Sequence, residues 1–449
     1  MKHCKETIYQ NLDSLKNVSA CQTACPINTK VPAYVSLLSR RRFEEAWEII
    51  KLDNPFPSAC ARVCHHPCQT ECQAKKWGGP VSIRLMKRLA TDYAFEKGMN
   101  KPKRQEIKPD GERIAVIGAG PSGLAAANDL VDKGYRITVF ERLEEAGGAM
   151  AACIPQYRLP REMLNLDIEN ILEKGVDLRL NTEVGRDITF QEIREKYKAV
   201  YVATGCHKSK MMHIQDEDAD GVLYSMAFLN DTNLKRNKIK LGRRVGIIGG
   251  GNAAVDAARV SKRHPGCEEV TLIYRRTRAE MPAYEEEIEA ALDEGIKMLF
   301  LTNPAGIVTE KGKMVGVKCL KMELGEPDDS GRRRPIPVEG SEFVVHLDNL
   351  IIAIGEDSDI AYLGDGHGLE ISRWHTIEAD ANYTTTNVEG VFAGGDVVTG
   401  PKTVIEAIAA GKKAAIAIDK YLRGRPVEWE TRLPSTTMYM NPDVKLAWR

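Results

Sequence analysis

A strand that runs straight into a glycine turn occurs twice in this chain, at Arg113-Ile-Ala-Val-Ile-Gly118 and at Arg244-Val-Gly-Ile-Ile-Gly249, about 130 residues apart. An apolar run that ends in such a turn and opens a helix is the nucleus of a doubly wound α/β unit. Two nuclei predict two units, and the length of 449 residues leaves room for them and for one smaller domain. The apolar runs at 114–117, 245–248 and 350–354 fall far short of the roughly 18 residues that a membrane span needs. Lys+Arg and Asp+Glu balance at 63 each, so neither nucleic acid nor an anionic membrane is expected as a partner. No apolar segment follows Met1-Lys2-His3-Cys4 in the manner of a secretory signal, and a cytoplasmic location is expected.

In the first unit, Gly118-Ala-Gly120-Pro-Ser-Gly123 lies between a strand and a helix over 124–131. Gly118 permits the tight turn, Gly120 lets the backbone approach a pyrophosphate, and Gly123 allows close helix–strand packing. The helix N-terminus offers N–H groups and a positive dipole end to the phosphates. A second strand, 136–140, ends in Glu141, where a carboxylate can accept from a ribose 2′-OH.

In the second unit, Gly249-Gly250-Gly251-Asn252-Ala253-Ala254 repeats the arrangement, but its next strand, 270–274, ends in Arg275-Arg276. Guanidinium groups there bind a 2′-phosphate that a carboxylate would repel. This site is expected to prefer NADPH to NADH.

Seven of the eleven cysteines fall in the first 72 residues, including Cys21-x3-Cys25-Pro and Cys60-x3-Cys64-x3-Cys68-x3-Cys72. Thiolates hold iron–sulfur clusters or zinc. A spacing of four would suit one helix face, but His65-His66-Pro67 interrupts a simple helix, so loops around a cluster are expected, flanked by helices at 31–39 and 43–50. A polar linker is expected at 98–111, a long Ala-rich helix near 403–421, and a surface tail from Arg425.

Further pieces complete a pattern: Gly147-Gly148, Ile154-Pro-Gln-Tyr-Arg-Leu-Pro160, Ala203-Thr-Gly205, Met281-Pro-Ala283, Ala353-Ile-Gly355 and Gly394-Gly-Asp396. With the two turns, they identify a resemblance to the glutamate synthase small-subunit family, which also includes the NADPH-binding subunit of ferredoxin-dependent bifurcating transhydrogenases. The resemblance runs from about Cys21 to Tyr421. It implies an α/β chain with two Rossmann-like dinucleotide-binding domains, a discontinuous FAD domain and an inserted NADPH domain, preceded by a small α-helical iron–sulfur domain. The expected boundaries are 1–105 for the iron–sulfur domain, 106–235 and 346–449 for the two parts of the FAD domain, and 236–345 for the NADPH domain.

The candidate cofactor-binding residues it implies are Gly118, Gly120, Gly123, Glu141, Arg142, Gly148, Arg158, Ala203, Thr204, Gly205, Gly355, Gly395, Asp396, Thr403 and Val404, with Gly249, Gly251, Asn252, Ala253, Arg275 and Arg276 in the second unit. Asp396 would bind the ribityl chain, and the helix from Thr403-Val404 would turn its N-terminus towards the flavin. No catalytic residue is assigned.

The candidate metal ligands are Cys21, Cys25, Cys60, Cys64, Cys68 and Cys72. Relatives with two 4Fe-4S clusters have a Cys-x2-Cys ahead of Cys21, where this chain has only Cys4, and a Gln or Glu ligand where Lys87 stands. An ammonium has no lone pair for iron. One 4Fe-4S cluster on Cys25, Cys64, Cys68 and one of Cys21, Cys60 or Cys72 is therefore expected rather than two.

Nicotinamide moves two electrons and clusters one, so a flavin is the natural converter. The expected function is an NADPH-dependent subunit that passes electrons to or from partner redox subunits. A self-contained disulfide reductase of the thioredoxin reductase type is the first rival, but no Cys-x-x-Cys is present and Cys153 reads as packing. A non-catalytic nucleotide-binding scaffold is the second.

Overall fold

All four residues of Ile114-Ala-Val-Ile117 are buried, as befits the middle strand of a parallel sheet covered on both faces. The computed structural model describes residues 19–99, 111–234, 239–328 and 331–427. Cys4, nearly all of the expected linker and most of the expected tail lie outside the described residues. In the first sheet, five parallel strands run in the order Val391–Ala393, Ala199–Val202, Arg113–Ile117, Arg136–Phe140 and Asp177–Arg179. The last strand to be made thus pairs beside Ala199–Val202, so the first unit is closed by residues far along the chain. Helix Val404–Leu422 packs against helix Pro121–Val131, placing the long Ala-rich helix in the same core as the first glycine turn.

The second sheet is also parallel, in the order Val222–Tyr224, Asn349–Ile352, Arg244–Ile248, Glu269–Ile273 and Lys297–Leu299. This corrects the expected limits of 236–345. Both Val222–Tyr224 and Asn349–Ile352 pair inside this sheet, so the inserted unit extends beyond those limits at either end. The chain crosses between units where Lys208–Ser209 pairs antiparallel with Glu356–Asp357. An antiparallel sheet of Thr302–Glu310, Lys313–Pro327, Arg333–Pro337 and Phe343–His346 lies within the insertion.

The N-terminal part is helical: Val31–Ser39, Phe43–Asp53, Pro57–Val63, Pro67–Thr70 and Ile83–Glu96. Its cysteine run is broken as the sequence implies, because His66 takes φ 47° and Pro67 opens a new helix. This domain is built into the first unit: Cys25, Phe56, Cys60 and Cys64 share one apolar core with Val116 and Leu124. Asp167, on helix Arg161–Leu172, accepts the N–H groups of Ser58 and Ala59 at 2.9 and 3.0 Å, which caps helix Pro57–Val63 from the neighbouring domain. Among the described residues no helix is long and apolar enough to cross a membrane.

Candidate functional site

At the first turn Gly118 has φ +106°, and a Cβ there would meet the Ala203 carbonyl at 2.5 Å, so backbone geometry and space both call for glycine. At Gly120 the nearest neighbour of an added Cβ is Gly148 Cα at 3.9 Å, which leaves the turn open. It opens on a cavity of about 370 Å³. Gly118, Gly120, Glu141, Arg142, Gly148, Ala203, Thr204, Gly205 and Asp396 all line this cavity.

Glu141 accepts the Ala119 N–H at 2.8 Å and the Leu143 N–H at 2.9 Å, so its carboxylate braces the turn as well as facing the cavity. Burial raises its pKa against those two hydrogen bonds. Asp396 is pushed up to about 7 by burial, with Glu356 and Glu406 adding to the rise while the Lys402 N–H opposes it. A carboxyl poised near neutrality can accept from, or donate to, hydroxyls such as those of a ribityl chain.

Sequence reading missed Thr182, Cys206, His207 and Tyr362, which also line the cavity. Tyr362 pairs its hydroxyl with Thr204 Oγ1 at 3.0 Å. Burial, and then the Arg142 charge, lower His207 to about 4, so it is neutral at physiological pH. Cys206 and His207 follow Ala203-Thr-Gly205 directly and could have been read as its continuation; Tyr362 carries no local signal. Cys153 packs against Met226, sulfur to sulfur at 3.6 Å.

Other expected residues stand elsewhere. Gly123 serves packing, since a Cβ there would collide with the Gly118 carbonyl. Gly355, Gly395, Thr403 and Val404 do not line the cavity. The Thr403 N–H and hydroxyl are taken by Glu406 at 3.1 and 2.6 Å, which leaves Val404 as the available donor of that pair. Arg158 is also outside the cavity: it is paired with Asp256 at 2.6 Å and Glu287 at 2.9 Å, both in the second unit. A guanidinium held by two carboxylates joins the units and has little left for a phosphate.

At the second turn the segment Met281-Pro-Ala283 folds over the glycines. Ala283 donates to the Gly250 carbonyl at 3.1 Å, and the Tyr284 N–H donates to Asn252 Oδ1 at 3.1 Å, so the Asn252 side chain holds this segment. A Cβ on Gly249 would strike the Ala353 carbonyl, whereas Gly251 and Ala253 stand where helix Asn252–Lys262 begins, with room at Gly251.

The two arginines differ. Arg276 is buried, donating to Asp328 at 2.6 Å and to the Arg333 carbonyl at 2.7 Å. Arg275 is exposed, and its pKa is lowered by partial desolvation and then by Arg276 and Arg332 beside it. Crowded cations of this kind are relieved by an anion. Of the expected pair, Arg275 alone is exposed, and Arg276 is committed to Asp328 and the Arg333 carbonyl.

The cysteine domain gathers all six candidate ligands, with only Cys21 more than slightly exposed. The Cys64 and Cys68 thiols are raised, Cys68 to about 12, mainly by burial, with Lys87 opposing and Cys25 adding. Cys21, raised chiefly by burial, also feels Cys72. Cys25 and Cys64 pack in one apolar core with Cys60, and Cys68 and Cys72 pack in a second with Cys21 against it. Among the described residues no three such side chains converge on a single ion. An extended cluster spaces its ligands more widely than an ion held at about 2.3 Å from each sulfur. The hydroxyl of Tyr34 is buried in this domain without a hydrogen-bond partner. Buried thiols and an unused donor fit a thiolate-held cluster.

Residues 112–411 match the pyridine nucleotide-disulphide oxidoreductase family. The chain belongs to that family. Residues 15–99 match the 4Fe-4S cluster domain II of dihydropyrimidine dehydrogenase. The chain is thus an oxidoreductase with FAD and nicotinamide-nucleotide folds and an N-terminal 4Fe-4S domain.

It is 43% identical over 425 residues to the NADP(+)-dependent formate dehydrogenase subunit beta of Moorella thermoacetica, covering 90% of this chain and 60% of that one. It is 36% identical to the NADPH glutamate synthase small chain of Escherichia coli, covering 90% of this chain and 88% of that one. The chain thus spans less than two thirds of the first of these relatives and most of the second. Mycobacterium tuberculosis FprA in complex with NADPH has the same fold, with a TM-score of 0.60 at 19% identity over 70% of this chain and 85% of that one.

Proposed function

We propose that this chain is the NADPH-dependent flavoprotein subunit of a larger cytoplasmic oxidoreductase, exchanging electrons between NADP(H) and a partner redox subunit. The observation that carries this reading is the shared core: Cys25, Cys60 and Cys64 pack with the strands and helix of the first glycine turn, so the cysteine domain is fixed beside the flavin fold. A bound flavin would supply the conversion between two-electron hydride chemistry and one-electron transfer. Gly120 leaves room for a pyrophosphate, Glu141 and Asp396 offer carboxylates to ribose and ribityl hydroxyls, and Arg275 offers a cation to the 2′-phosphate. Cys25, Cys64 and Cys68, with one further cysteine, would hold a single cluster.

The names of the relatives support the presence of a partner, being subunits or chains of assemblies. His65, next to Cys64, stacks on Tyr284 of the second unit at 5.8 Å between ring centres, so the cysteine domain touches both nucleotide folds.

Anaerobic mixing with NADPH tests the reading. The flavin absorbance should bleach in wild type and in Cys64→Ala alike, while Cys64→Ala should lose iron and fail to reduce a one-electron protein acceptor. Iron and acid-labile sulfide should each come to about four per chain. A flavin that NADPH does not bleach, or a Cys64→Ala variant that transfers electrons as well as wild type, would sink it.

A further inference from the structure

Lys87 is only 7% exposed, on helix Ile83–Glu96 of the cysteine domain. A fully buried lysine is rare unless something compensates its charge. Among the described residues it forms no salt bridge; the carboxylate that feels its charge, Asp53, is itself engaged by the Lys30 N–H at 3.3 Å. Lys87 stands on the same helix face as Ile83 and Ala90, which share one apolar cluster with Tyr34, Cys68 and Cys72, so the ammonium is carried into the cysteine-bearing core. Tyr34 is fully buried, and its hydroxyl has no hydrogen-bond partner. A cation without a carboxylate and a donor without an acceptor therefore sit together among the thiols.

We propose that Lys87 is the buried counter-charge of the N-terminal cluster and raises its reduction potential, with Tyr34 as a second donor to the same site. This rests on the reading of Cys25, Cys64 and Cys68 as ligands. A cluster held by thiolates is an anion, and its one-electron reduction, with the electron drawn from the nicotinamide and flavin side, adds a further negative charge. A cation fixed nearby in a low dielectric stabilises the reduced form more than the oxidised one. The consequence is directional, because a raised potential favours electrons on the N-terminal domain.

Potentiometric titration of the intact protein, read by electron paramagnetic resonance and paired with iron and flavin analysis, tests this. Lys87→Met should keep its iron while its equilibrium constant for reduction falls tenfold or more, a shift of about 59 mV to lower potential. Lys87→Arg should stay near wild type, and Tyr34→Phe should move as Lys87→Met does, but less. A Lys87→Met midpoint equal to wild type, or a Lys87→Arg midpoint displaced as far as that of Lys87→Met, overturns the proposal. Loss of iron from Lys87→Met with flavin retained also overturns it, since the lysine would then hold the cluster rather than tune it. Wild-type protein without iron and sulfide would overturn the cluster reading itself.

Discussion

Arg158 donates to Asp256 Oδ2 at 2.6 Å across the boundary between the two nucleotide units. The pair belongs to a network, in which Glu287 accepts from both Arg158 and Arg259, and Arg259 and Arg263 stand over the Tyr157 ring at 4.8 and 4.2 Å. Tyr157-Arg158 is therefore a clasp between the units, built from the Ile154–Pro160 motif.

Asp256 is 5% exposed, and its Oδ1 already lacks a partner, so Arg158→Ala would leave a buried carboxylate uncompensated. The expected loss of stability in chemical denaturation is about 3–5 kcal/mol, and adding Asp256→Asn should recover part of it. Burial, opposed by Arg158 and reinforced by Glu287, raises Asp256 to about 6. A carboxyl raised on folding contributes most at low pH and loses that contribution as pH rises through its folded value. The variant should thus fall furthest behind wild type above about pH 6. Equal stability of Arg158→Ala and wild type at neutral pH would remove the clasp.

Arg275 and Arg276 should separate in kinetics. Because Arg275 is the exposed cation at the strand end, Arg275→Ala should weaken NADPH by about 10–100-fold, the equivalent of a charged hydrogen bond or two, and leave NADH unchanged. Arg276→Ala should instead loosen the sheet that Asp328 and Arg333 anchor, lowering thermal stability with a smaller change in nucleotide preference. If Arg276→Ala alone abolishes the preference, the assignment to Arg275 fails.

What the chain discloses in its sequence follows from how local each requirement is. Gly118, Gly120 and Gly123 are legible because a few consecutive backbone atoms set their demands, and Glu141 because a strand of fixed length delivers it to the turn. Arg158 misleads because its partners, Asp256 and Glu287, are about 100 and about 130 residues away. The domain limits fail for a similar reason: Val222–Tyr224 is three residues long, and only its pairing with Asn349–Ile352 makes it part of the second sheet. The burial of Lys87 is equally hidden, since nothing around Met86-Lys-Arg88 marks which cation turns inward.

Gly120→Val tests the first site directly. The Cβ that it adds clashes with nothing in the protein, its nearest neighbour being Gly148 Cα at 3.9 Å. The fold should therefore survive, with circular dichroism and thermal midpoint close to wild type. The side chain would occupy the volume that a pyrophosphate needs, so the protein should purify without flavin. Stoichiometric FAD in this variant would show that the cofactor does not use the turn.

The joint between the cysteine domain and the first nucleotide fold should itself respond to pH through Asp167. Its Oδ2 accepts two backbone N–H groups, from Ser58 and Ala59, yet burial outweighs them and pushes the carboxyl up to about 7. With the folded value above the ordinary carboxylate range, the folded state binds the proton more tightly. The stabilisation is full only below the unfolded value of about 4, falls as pH rises from there, and is gone above about 7. Asp167→Asn keeps an acceptor for the two N–H groups without the charge, so its thermal midpoint should change less than that of wild type between about pH 5 and about pH 8, and should exceed it at the upper end. Asp167→Leu removes the acceptor and strands both donors, each costing about 1–3 kcal/mol, so it should be less stable at every pH. Parallel pH profiles for wild type and Asp167→Asn would mean that the carboxyl is already ionised in mild acid and that its two hydrogen bonds, not its burial, set its charge.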